Sequence, residues 1–154
     1  GPEGQPLALF ESGAILLYLA EKSGQLLPAQ AQQRYECIQW LMWQVGGVGP
    51  MFGQLGIFHK FAGSQYPDKR PRDRYVAEVV RLLGVLEQRL QQRQWLMGDT
   101  YSIADIAVLP WVNTLLGFYG AGELVDFARF ANVRRVLDAF LARPAVQCGL
   151  QVPG

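Results

Sequence analysis

The chain has 154 residues, half of them apolar, with a net charge of +1. That is enough apolar material for one domain with a real core. Without a basic run or stripe it excludes an electrostatic nucleic-acid binder. The longest strongly apolar run, "AILLYLA", is far too short to span a bilayer, so no membrane partner is expected.

"GPEGQP" at the start is a loop by its glycine and proline content. "LALF", Leu7 to Phe10, is short and apolar and reads as a buried strand. Ser12 follows as a favoured N-cap, and a helix over Gly13 to Lys22 is stopped by Gly24, with Pro28 beyond. This helix is apolar nearly all round, so it is expected to be covered on more than one side. Two readings of Glu11 and Ser12 stand at this point. Ser12 caps the helix and Glu11 is a solvated acid; or the first helical turn, with its free N–H groups and partial positive charge, holds a small carboxylate at Ser12 while Glu11 meets an ammonium on the same ligand.

"SGQLLPAQ" links to a mostly helical remainder. A helix from near Ala29 to at least Val45 carries Ile38, Leu41 and Val45 at helical spacing, continued by Val48, Phe52 and Leu55. "VGGVGPM" interrupts it, since three glycines lower helix propensity and Pro50 lacks a donor, and a kink is expected there. After the loop "AGSQYPDKRP", the clearest helix spans about Arg72 to Gln92, with a stripe of Tyr75, Val79, Leu82, Leu86 and Leu90. In "YSIADIAVLPW" Ser102 and Asp105 form a capping box of equal partners, with Tyr101 and Ile106 as the staple around it. A helix starts at Ile103 and bends near Pro110; a last one runs from about Asn132 to Arg143 and ends at Pro144. No alternating strand pattern follows Phe10, so the bulk of the chain is all-α.

Cys37 and Cys148 have neither metal-ligand spacing nor a disulfide framework, which implies no metal and a reducing, cytoplasmic compartment. Cys37 lies mid-helix without a CxxC partner and reads as a buried, inert thiol.

"FESGAILLYLAEKSG", "QWLMWQVGGVGPMFGQ", "YSIADIAVLPWV" and "ARPAV" together resemble the cytosolic glutathione transferases, specifically the bacterial nu-class and Ure2-like branch that includes glutathione-dependent disulfide-bond reductases. The likeness extends from about Leu7 to Val146. It implies an all-α glutathione transferase C-terminal bundle over residues 25–154, preceded over residues 1–24 by the last strand and helix of a thioredoxin-like glutathione-binding domain. It also implies that the thiol-activating half of that domain lies outside this sequence, so no catalytic residue is assigned.

The resemblance turns the choice at Glu11 and Ser12 toward ligand binding, because the pair holds the γ-glutamyl end of glutathione in that family. It further implies that Arg81 reaches glutathione in the opposing subunit of a homodimer, against a plain reading as a solvated charge paired with Glu78. Phe52 and His59 are weaker candidates for the substrate pocket. The implied chemistry is attack by the glutathione thiolate on a small electrophile or a disulfide. A non-catalytic binding, regulatory or dimerisation module is the alternative.

Overall fold

The computed structural model describes residues 1–152, and within them the chain is a helical bundle without a sheet. Its main helices are α1 (Ser12–Ser23), α2 (Ala31–Trp43), α3 (Gly49–Gly56), α4 (Arg70–Arg89), α5 (Ile103–Leu116), α6 (Ala131–Leu141) and α7 (Pro144–Gly149). The all-α reading holds. Leu7–Phe10, expected to be a strand, has no ladder partner among the described residues, and Phe10 is 80% exposed. An apolar tetrapeptide becomes a strand only when another backbone meets its N–H and C=O groups.

Helix α1 ends as expected, with Gly24 in the left-handed region at φ 69° and its N–H bonded to the Ala20 carbonyl. It buries only Gly13 and Ala20, so the expected cover on several sides is not found: Ile15 and Leu19 face outward.

The kink expected at "VGGVGPM" takes a different form. Ala31 to Phe61 is helical throughout, but Gln44–Val48 and Ile57–Phe61 are π-helical turns on either side of α3. Gly49 donates its N–H to the Gln44 carbonyl, five residues back, and Ala62 does the same to Ile57. In a regular α-turn the Pro50 ring would press on the carbonyl four residues earlier and leave it unbonded. The wider turn relieves that conflict, and the flanking glycines tolerate it.

The stripe on α4 is buried as read, with Val79, Leu82 and Leu86 in the core and Leu83 beside them. It packs against Phe52 and Leu55 of α3 and against α6. Helix α5, apolar on nearly every face, is the central helix, and eight of its residues are buried. Helix α6 ends at Leu141, with Arg143 extended before Pro144 as expected, and the proline also opens α7 at a first-turn position where its missing N–H costs nothing.

Helices α4 and α6 cap each other. The Glu87 carboxylate accepts the Asn132 N–H at 3.1 Å and the Val133 N–H at 3.0 Å, where α6 has no side-chain cap of its own. Arg135 returns the favour, donating to the Leu90 and Arg93 carbonyls at 2.9 Å each, past the end of α4. Glu87→Ala is therefore expected to destabilise the fold by about 1–3 kcal/mol, the cost of leaving partly buried N–H groups without an acceptor. A urea melt reads this directly, and a loss within error of zero would mean that water replaces the carboxylate.

Candidate functional site

The first turn of α1 opens into a cleft of about 540 Å³. Glu11 and Ser12 form one end. Gln44, Val45 and Gly49 come from the first π-turn and the start of α3, while Ile57, Phe61, Trp111 and Tyr119 give the far side an apolar, aromatic wall.

Three local features build this arrangement. First, Gly13 lets α1 lie against the long helix: a Cβ there would sit 3.0 Å from Val45 Cγ2. Second, Gly56 admits the Tyr119 ring, which would lie 2.5 Å from a Cβ at that position. Third, Lys60 reaches across from the second π-turn to the Phe118 carbonyl and stacks 4.1 Å from the Phe118 ring centroid, next to Phe61.

The helix start differs from the sequence reading by one residue. Glu11 is the cap residue and Ser12 is already in the first turn. Glu11 sits at φ 57° and ψ 111°, outside the regions open to ordinary residues, and its carbonyl starts the helix by accepting the Ile15 N–H at 2.8 Å. Backbone strain of this kind costs about 1–3 kcal/mol and concentrates at functional positions. The Ser12 hydroxyl caps nothing, and both side chains are exposed to the cleft. A carboxylate there would meet a hydroxyl and the free N–H groups of a helix start, beside a side-chain carboxylate suited to an ammonium.

The remaining candidates lie elsewhere. Phe52 is fully buried in the core and does not line the cleft. It is on the face of α3 turned toward α4, as aromatics at helical spacing usually are. His59 is half-buried on the second π-turn and is not among the cleft residues. Arg81 lies on an exposed face of α4, where its guanidinium holds Glu78 at 2.7 and 3.1 Å. That contact holds the Glu78 carboxyl below the usual carboxylate range. Within one chain Arg81 is not brought to Glu11 and Ser12. Trp111, which like Phe52 and Phe58 could line the pocket by its aromatic character, does line the cleft, from α5; Gln44 and Tyr119 were not expected at the site. Only the π-turn and the fold of the segment after α5 bring them there, and neither has a periodic signature.

Cys37 is buried, and burial pushes its thiol above the usual range, in keeping with a structural thiol. No group of three or more His, Cys, Asp or Glu able to hold a metal is present among the described residues, and no described helix is long and apolar enough to cross a membrane.

Residues 48–144 match the family model described as glutathione S-transferase, C-terminal domain. The disulfide-bond oxidoreductase YfcG of Escherichia coli is 46% identical over 92% of this chain and 63% of its own length. A second Escherichia coli disulfide-bond oxidoreductase, YghU, is 38% identical over 94% of this chain and 50% of its own length. The chain thus spans between half and two thirds of these curated relatives. Among solved structures, a glutathione transferase from Burkholderia graminis, with two glutathione molecules bound per subunit, is 69% identical with a TM-score of 0.98, covering 99% of this chain and 64% of that one. A glutathione transferase from Pseudomonas putida, with one glutathione disulfide bound per subunit, is 64% identical with a TM-score of 0.97, covering 100% of this chain and 66% of that one.

Proposed function

Because the chain belongs to the glutathione S-transferase family, we propose that its cleft takes glutathione, with the γ-glutamyl group at Glu11 and Ser12. The observation that carries this reading is the convergence of a strained, uncapped helix start and an apolar aromatic wall on one cleft. The γ-glutamyl carboxylate would take the Ser12 hydroxyl and first-turn N–H groups, and its ammonium would take Glu11. Residues 1–24 then belong to a thioredoxin-like glutathione-binding unit and residues 25–154 to the helical domain. The outward apolar groups Phe10, Ile15 and Leu19 support such a unit, since a further apolar element would cover them.

In the whole protein the bound thiol acts as a thiolate. It attacks a small electrophile, forming a bond to the electrophilic atom as that atom's leaving group departs with the bonding pair; or it attacks one sulfur of a disulfide, and the other sulfur leaves as a thiolate that takes up a proton. The thiol-activating group is proposed to come from that thioredoxin-like unit. Homodimerisation would let the exposed Arg81 exchange Glu78 for a glutathione carboxylate in the opposing subunit, a task suited to a planar, permanently charged fork.

Titration of the ¹⁵N-labelled chain with glutathione tests the first of these contacts. The amides from Glu11 to Ala14 are expected to shift, weakly and only at high ligand concentration, because one end of the ligand is gripped. The dipeptide Cys-Gly, lacking the γ-glutamyl group, should leave them unmoved. Ser12→Ala should weaken the glutathione response about tenfold, the scale of one charge-assisted hydrogen bond. Equal responses to glutathione and Cys-Gly would remove the γ-glutamyl assignment.

A further inference from the structure

Gln44 is the one uncharged polar side chain of the cleft that is also buried, at 4% exposure. Its backbone is fixed, because its carbonyl accepts the Gly49 N–H across the π-turn. The side-chain amide is not used in the hydrogen bonding of the described residues, and its polar atoms are not sealed off from the cleft.

Its neighbours place it between the two halves of the cleft. Val45, the next residue, abuts the start of α1 at Gly13. On the other side, a Cβ at Gly49 would come within 2.9 Å of Gln44 Nε2 and 3.4 Å of the Trp111 ring. The missing side chain at Gly49 is what makes room for the amide. The amide therefore lies between the helix start, suited to a carboxylate, and the aromatic wall.

Polar atoms open to the cleft are free to bond water, and a ligand that supplies both a donor and an acceptor takes that water's place. An amide both donates and accepts, side by side, and so matches the N–H and C=O of a peptide group; an aromatic ring or a sulfur atom offers only weak substitutes. π-Turns concentrate at functional sites, and this one aims Gln44 into the cleft. We infer that Gln44 hydrogen-bonds a peptide group of the ligand held at Glu11 and Ser12, and so favours peptide-type ligands over plain aromatic ones. This rests on the cleft being a glutathione site.

The Gln44 side-chain NH₂ pair, identified by its absence from the spectrum of Gln44→Leu, reports the contact in the unaltered protein. During titration with glutathione it is expected to shift together with the Glu11 and Gly13 amides. Gln44→Leu should raise the glutathione Kd about two- to tenfold, the scale of one neutral hydrogen bond. If the α1 amides respond while the NH₂ pair stays in place, or if the Kd is unchanged in Gln44→Leu, the Gln44 contact is wrong and the glutathione site stands. If neither set responds, both readings fall together.

Discussion

Asp105→Ala is expected to destabilise the fold by about 2–5 kcal/mol, well beyond the roughly 0.5–2 kcal/mol of Ser102→Ala. Asp105 is fully buried. Its Oδ1 accepts the Leu96 N–H at 2.8 Å, while Oδ2 accepts the Ser102 N–H at 2.9 Å and the Ser102 hydroxyl at 3.0 Å. Removing the carboxyl leaves two buried backbone donors without acceptors, each costing about 1–3 kcal/mol. Ser102→Ala removes only the 3.3 Å bond to the Ala104 N–H and the hydroxyl's bond to Asp105. Because they share one bond, the double mutant should lose less than the sum. Urea melts of the three variants decide it, and equal, additive losses would mean that the carboxylate is no hub.

The same group predicts a pH dependence. Burial raises the Asp105 carboxyl above its ordinary range, against the pull of its hydrogen bonds. The native state then holds the proton to higher pH than the unfolded chain does. Its contribution is full below the ordinary carboxylate value and lost as pH rises through the raised one. The wild-type stability curve minus that of Asp105→Ala should fall with rising pH across that window; a difference that rises would show an ionised, depressed carboxylate.

These residues also show what the sequence made legible. "YSIAD" announced the cap because a capping box is local, with Ser and Asp three residues apart at the start of an apolar run. The sequence could not show that Asp105 also holds the Leu96 N–H from the preceding turn, and the equal roles expected of Ser102 and Asp105 give way to an unequal pair. Tyr101, expected to staple to Ile106, lies against Trp95 and beneath the Arg143 guanidinium. The α4 stripe was readable because period and burial coincide; the Glu87–Arg135 exchange was not, since its partners are more than forty residues apart. Glu11 and Ser12 were legible by their chemistry and by resemblance. Of the wall facing them only Trp111 was legible, as an aromatic; Gln44, Ile57 and Phe61 were not, because a π-turn shifts which side chains share a face and hydrophobic periodicity assumes that no such shift occurs.

That π-turn supports a second large prediction, at a residue without a side chain. Gly49 precedes Pro50 while in helical geometry, φ −55° and ψ −58°. A Cβ before proline in that region clashes with the proline ring. At Gly49 it would also come within 2.9 Å of the Gln44 amide nitrogen, which would have to move, while the Gln44 carbonyl and Trp111, each at 3.4 Å, would be in ordinary contact. The amide is the end of a flexible side chain and can swing aside, but only by giving up its place in the cleft, so the main cost is the clash with the proline ring. Gly49→Ala is therefore expected to destabilise by about 1–3 kcal/mol, the scale of backbone and side-chain shifts forced by one added methyl group. Gly84, inside α4, has nothing within 4 Å of a would-be Cβ. There the same substitution should stabilise by about 0.5–1 kcal/mol, because alanine removes the helix penalty of glycine and restricts the unfolded chain. Opposite signs from one identical methyl group are the expected result of parallel urea melts. If Gly49→Ala also stabilises, the turn relaxes at no cost, and it cannot be what holds the Gln44 amide in the cleft.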